Sequence, residues 1–369
     1  MEKRRLYSLN IVRVVAAFGV FLYHTYWNFG CTYGKLNYLI SQSTFHMTTF
    51  FVLSGFVIAY AYSDTDFFSD GESISRFIKK RFMSLFPEYF LIFTVFFYLF
   101  RNNSSLKIDI ATLPFQLTML FGFEFYGHLI NWGGWFFSLI FMCYIVSPYF
   151  LYINKNAKPW QLKISVVLCI IFISFAPFID GIQVYGNYFC RFFEYYIGMV
   201  LAIFFKNSRQ SDKNERSIIF TGLFLYIFTF IVIYYAQIRI GELGWNHTHL
   251  GIVNIIMSSC IIYVTAHAQG QLTERVYNNI VIRTLAKYSM EIWCATFFSS
   301  YIHSMYFSGK FDGISNILLS FGLNAICVCI LALYKELISK LISKNEGVFW
   351  ICSCLFFSIV FFYKVFSVL

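Results

Sequence analysis

The 369-residue chain is 59% hydrophobic and only 12% charged, with a mean hydropathy of +0.64, against roughly 45–50% and 25% in soluble domains. Too few charges remain to coat a soluble particle of this mass, so the apolar surplus must face lipid; secreted disulfide scaffolds, disordered chains and soluble nucleic-acid binders are excluded. The net charge of +10 is dispersed, without the Lys/Arg run that tracks a polyanion.

A helical span needs about 17–25 mostly apolar residues. In chain order the apolar runs predict eleven spans: Leu6–Trp27, Phe45–Tyr62, Phe82–Phe100, Trp135–Ile153, Ile164–Ile182, Phe189–Phe205, Ser217–Ala236, Leu250–His267, Leu285–Tyr306, Ile314–Tyr334 and Val348–Phe366. The run Leu113–Phe125 is too short to cross and is expected to be re-entrant or interfacial. The fold expected is an all-α polytopic membrane protein, one integral-membrane domain over residues 1–369 with its core at 6–334 and an added C-terminal helix at 348–366. No appended soluble domain and no cleaved leader are expected, because the first run is long enough to remain as an anchor.

Charge sets the orientation. With the N-terminus in the cytoplasm, twenty Lys and Arg fall inside, in the segments 3–5, 76–81, 155–163, 206–216, 275–287 and 335–344. Only five fall outside, at Lys35, Arg101, Lys107, Arg239 and Lys310. That asymmetry follows the positive-inside rule. Ten cysteines form no CxxC pair, and most of them lie inside apolar runs, where a thiol behaves as a small hydrophobe. Neither a metal site nor a redox role is expected of them. The 48 Phe and 27 Tyr are expected mostly at lipid-facing and interfacial positions.

Ionisable groups inside spans are costly and mark candidate sites. Arg13 and His24 stand eleven residues apart in the first span. Eleven steps of about 100° close three turns plus about 20°, so the two share a face about 16 Å apart. Ala16, Ala17 and Val20 lie between them, small enough to border a groove. The bland alternative is an Arg snorkelling to the inner interface and a His satisfied by a neighbouring helix. His46 opens the second span from outside, at roughly the expected depth of His24, where two imidazoles could share a proton or an acceptor. Gly55 after Ser54 favours close helix approach. Arg191 and Glu194 stand three apart on one face, most simply a buried ion pair. Glu291 has no obvious local partner in the sequence.

Arg13 and His24, followed by Phe50-Phe51-Val52-Leu53-Ser54-Gly55-Phe56, resemble the opening signature of acyltransferase family 3. Arg76-Phe77-Ile78-Lys79-Lys80-Arg81 and Pro87-Glu88-Tyr89 are similar to that family's basic loop, which enters the third span at a proline. Trp135-Phe136-Phe137 with Ser147-Pro148 resembles the Trp-led span of the sugar O-acetyltransferase branch, and Phe193–Gly198 a further family segment. Three positions depart from the pattern. Ser84 stands where some members have a second Arg, Ile140 where many have a Glu, and Thr296 where a His is frequent.

The resemblance implies transfer of an acyl group, usually acetyl from acetyl-CoA, to a hydroxyl of an extracytoplasmic carbohydrate such as O-antigen, capsule or exopolysaccharide. It implies a bacterial inner-membrane enzyme with acetyl-CoA as co-substrate, a lipid bilayer as setting, and no metal or nucleic acid. Arg13, Lys79, Lys80 and Arg81 are expected to hold the donor, with His24 and Arg13 as the catalytic pair. His46, Ser54, Trp135, Arg191 and Glu194 are expected to bind the acceptor or support the site. His24 could act as general base or as a transient acyl carrier. A transporter or flippase of a lipid-linked sugar is the alternative of another class, but the sequence lacks the internal repeats that many transporters show.

Overall fold

The computed structural model describes residues 5–43, 45–100, 106–122, 133–179, 186–208, 214–242 and 250–366. Lys3, Arg4, Arg101, Arg209 and Lys213 from the charge count lie outside the described residues, as do residues 123–125 of the short run and 180–182 of the fifth span. The described residues contain helices and no strand. These helices are α1 (Tyr7–Asn28), α2 (Asn37–Ile40), α3 (Phe45–Tyr62), α4 (Ser73–Phe100), α5 (Leu106–Leu117), α6 (Gly134–Asn156), α7 (Pro159–Phe175) and α8 (Tyr188–Asn207). They continue with α9 (Glu215–Glu242), α10 (Gly251–Ala266), α11 (Gln271–Asn278), α12 (Ile280–Lys287), α13 (Ser289–Tyr306), α14 (Gly313–Lys344) and α15 (Glu346–Phe366).

Among the described residues nine helices are long and apolar enough to cross a membrane, or ten if the bent pair α10–α11 is one span. Two of the eleven expected runs account for the difference. The run Leu250–His267 is a 16-residue helix followed, after a bend of 104°, by α11. The run Leu285–Tyr306 is broken at Tyr288, and the 18 residues of α13 that follow carry Glu291, Thr296, Ser299 and His303 on buried positions, which lowers their hydropathy. The basic segment 76–81 is helix rather than loop, because α4 starts at Ser73 and runs through Pro87. The short run behaves as expected of its length, giving the 12-residue α5.

The chain divides into two compact units, residues 1–67 with 147–325, and residues 68–146 with 326–369. In the first unit α3 is buried nearly all round, as an apolar helix without a polar face must be. It packs on α8, α10 and α1. Two glycines set the α3–α8 crossing: a Cβ on Gly198 would run into the Val52 carbonyl, and a Cβ on Gly55 into the Tyr195 carbonyl. The two backbones thus touch where neither residue has a side chain, the close approach that small residues permit between helices in lipid. The outer faces of α7 and α9 remain largely exposed and suit lipid.

In the second unit Phe82, Phe86, Phe90, Phe93 and Phe97 recur at helical spacing along α4, and Trp350, Phe357 and Phe361 of α15 pack against them. That part of the aromatic content meets protein rather than lipid. Glu88 is buried and paired with Lys335 of α14 at 3.1 Å, and Tyr334 donates to the Pro87 carbonyl at 3.0 Å.

Candidate active site

The first unit holds Arg13, His24, His46, Ser54, Arg191 and Glu194; the second holds Lys79, Lys80, Arg81 and Trp135. No break interrupts α1 between Arg13 and His24, so helical geometry keeps both on one face. The intervening Ala16, Ala17 and Val20 are buried, at 1%, 0% and 3% exposure, while Arg13 and His24 are half-buried. This face of α1 therefore turns into the protein, and the small side chains serve close packing. α1 ends at Asn28, and Gly30 turns the chain at φ +65°.

The His24 ring meets the edge of Phe297 of α13 with centroids 5.2 Å apart and lies 5.5 Å from Tyr23. Its Nδ1 is 3.2 Å from the Asn28 amide nitrogen, one helical turn on. Among the described residues Nε2 has no hydrogen-bond partner, so one ring nitrogen is oriented and the other is available. The Asn28 amide selects the tautomer. With its N–H₂ toward the ring the imidazole proton sits on Nε2; with its carbonyl there, Nδ1 carries the proton and Nε2 presents a lone pair. Asn28 and Phe297 escaped the sequence reading. An i,i+4 His/Asn pair was a usable signal for the first; nothing in the sequence pointed to the second.

His46 is buried and both of its ring nitrogens are engaged. Nδ1 donates to the Ser43 carbonyl at 2.7 Å, which leaves Nε2 to accept from Tyr226 at 3.0 Å. Its ring lies over Gly19, where a Cβ would come within 2.6 Å of both ring nitrogens. His46 thus sits level with Gly19, about 7.5 Å along α1 from His24, not at the depth expected for it. Both ring nitrogens are thus engaged with Ser43 and Tyr226 while the ring packs on α1 at Gly19.

Arg191 and Glu194 form a buried ion pair, Arg191 Nη1 donating to both Glu194 Oε2 at 2.8 Å and Oε1 at 3.0 Å. Thr48 of α3 donates to Glu194 Oε1 at 2.9 Å, and the guanidinium lies over the Phe51 ring. The pair ties α8 to α3, as the simpler reading had it. Ser54 is half-buried beside Gly55.

In the second unit Lys79 pairs with Glu346 at 2.9 Å, Lys80 is exposed, and Arg81 lies over the rings of Phe77 and Tyr144 at 5.4 and 5.6 Å. Trp135 is buried at the start of α6, edge-on to Phe136. Among the described residues no group of His, Cys, Asp and Glu could hold a metal ion.

A family model described as an acyltransferase domain, that of acyltransferase family 3, matches residues 6–335. The chain belongs to acyltransferase family 3. No curated protein and no solved structure matches it. Membership supports an acyltransferase-type activity on membrane substrates, and the helices make this acyltransferase a multi-pass membrane protein. The matched region takes in α1 through nearly all of the apolar part of α14, and α15 lies beyond it.

Proposed function

We propose that this acyltransferase moves an acetyl group from cytoplasmic acetyl-CoA to a hydroxyl of a cell-surface or lipid-linked carbohydrate, in a bacterial inner membrane and with its N-terminus in the cytoplasm. The observation that carries the reading is the inward-turned face of α1, with a guanidinium at one end and an imidazole with an available nitrogen at the other. An extended pantetheine arm has a reach comparable to their separation of about 16 Å, and to lie between them it would have to part the helices that close over Ala16, Ala17 and Val20. Arg13 is assigned to the anionic donor, since a guanidinium stays protonated and offers a planar fork to phosphate. The run Lys79, Lys80 and Arg81 acts at longer range, raising the concentration of an anionic donor at the cytoplasmic face.

In the simplest sequence His24 Nε2 takes the proton of the acceptor hydroxyl as its oxygen attacks the thioester carbonyl. The C–O bond forms, the C–S bond breaks, and the imidazolium returns the proton to the departing thiolate. This step requires the Asn28 side chain turned so that its carbonyl, in place of the amide nitrogen now 3.2 Å from Nδ1, accepts from Nδ1–H and leaves the Nε2 lone pair outward. Acyl transfer through His24 itself differs in producing an acetyl-imidazole before the acceptor arrives.

The test uses purified protein and intact cells. Free CoA should appear from acetyl-CoA when acceptor is supplied, and His24→Ala should abolish both CoA release and the ester content of surface glycans measured by mass spectrometry. Unchanged glycan esters with the variant still in the membrane would refute the assignment. Absence of CoA release from folded wild-type protein would refute acyl transfer from this donor.

A further inference from the structure

The segment between α10 and α13, whose last residues were expected to open the span Leu285–Tyr306, is a pair of short helices. α11 turns 104° away from α10, so a helix that follows a membrane-directed one runs nearly along the membrane plane. Both helices are two-sided. Thr273, Tyr277 and Ala286 face inward and are buried. Leu272, Val276, Ile280, Val281 and Leu285 are exposed, with the exposed cations Arg275, Arg283 and Lys287 beside them.

The pair is fastened to the ends of spanning helices. Arg5 donates to the Tyr277 hydroxyl at 2.8 Å, the Tyr7 and Tyr277 rings stand 5.0 Å apart, and Val14 packs on Tyr277 and Ala286. The Glu215 carboxylate at the start of α9 accepts from the backbone N–H groups of Gly270, Leu272 and Thr273 at 2.7 to 3.0 Å. It thereby satisfies donors that the first turn of α11 leaves open. The exposed apolar side chains therefore sit at the end of the unit where α1 and α9 begin.

We propose that α11 and α12 form an interfacial elbow embedded in the headgroup layer of an anionic leaflet. Its five exposed apolar side chains enter the acyl boundary, and Arg275, Arg283 and Lys287 bind phospholipid phosphates. An amphipathic helix with cations flanking its apolar face has this affinity, and each cation near an anionic surface adds about 1 kcal/mol of attraction. Because Tyr277 and Ala286 also hold α1, the same contact fixes the height of α1 in the bilayer. The inference does not depend on the acyl-transfer reading.

The experiment compares full-length protein in nanodiscs of phosphatidylcholine alone and of phosphatidylcholine with phosphatidylglycerol, by backbone hydrogen exchange. Residues 271–287 should exchange several-fold more slowly with phosphatidylglycerol present, while α3 and α8 remain unchanged. The triple variant Arg275→Gln, Arg283→Gln, Lys287→Gln should lose that difference. Equal exchange of wild-type protein in the two lipids overturns the proposal without any variant. Protection reproduced by inorganic phosphate in phosphatidylcholine discs also overturns it, since that result describes an anion site rather than a bilayer contact.

Discussion

Gly198→Ala tests the α3–α8 crossing most directly. The added Cβ would lie 2.8 Å from the Val52 carbonyl carbon, closer still to its oxygen, and 3.0 Å from the Phe56 nitrogen. All three neighbours are backbone, so no rotamer change relieves the contact and the helices must part. Carbon atoms prefer about 3.5–4.0 Å, and a gap of about 0.5–1 Å removes a quarter to a half of a dispersion well. A patch of about 40 contacts at about 0.15 kcal/mol each that loses a third forfeits about 2 kcal/mol, within the usual range for overpacking. Alanine returns about 0.5–1 kcal/mol through helix propensity, so the net cost is about 1–2 kcal/mol. Gly322 of α14 supplies the control, because a Cβ there meets nothing within 4 Å and Gly322→Ala should stabilise by about 0.5–1 kcal/mol. Reversible unfolding in mixed detergent micelles, followed by circular dichroism, should separate the two variants by about 1.5–3 kcal/mol on opposite sides of wild type. A Gly198→Ala protein as stable as wild type would refute the account of the crossing.

Three further outcomes follow from the same geometry. Glu194→Ala leaves the buried Arg191 cation without its carboxylate partner and should cost about 3–5 kcal/mol; Arg191→Met with Glu194→Leu should recover most of that in the same unfolding assay, and a double variant no better than the single one would count against the ion pair as the cause. Gly19→Ala should push the His46 ring off Ser43 and Tyr226 and lower stability, yet have little effect in a His46→Ala background, so additive costs in a double-mutant cycle would contradict the packing described. Asn28→Asp, which can only accept from the ring and so holds Nδ1–H, should retain turnover, whereas Asn28→Leu should lower kcat about ten- to a hundredfold with KM for acetyl-CoA little changed; equal rates in both variants would remove Asn28 from the mechanism.

Much of the fold was legible because lipid imposes length and polarity on each span. The spans at Leu6–Trp27, Phe45–Tyr62 and Phe189–Phe205 lie almost residue for residue on α1, α3 and α8. At Leu285–Tyr306 the expected run and the helices differ for a physical reason, since hydropathy averaged over a window does not register the break at Tyr288 that separates an amphipathic helix from a polar-rich buried one. The basic segment before Pro87 reads as a loop only through its resemblance to the family's basic loop, whereas it is helical, with Arg81 over two aromatic rings and Lys79 paired with Glu346.

The candidate site divides along the same line. Periodicity within a single helix put Arg13, Ala16, Ala17, Val20 and His24 on one face, and three-residue spacing joined Arg191 to Glu194, because an α-helix converts sequence separation directly into angle and distance. Which way that face points, the seat of His46 over Gly19, Phe297 against His24, and Thr48 completing the Arg191–Glu194 pair depend on contacts between helices far apart in the chain. In a bilayer those contacts are selected by close packing and by pairing of buried polar groups. No local pattern records them, so only the folded chain decides them.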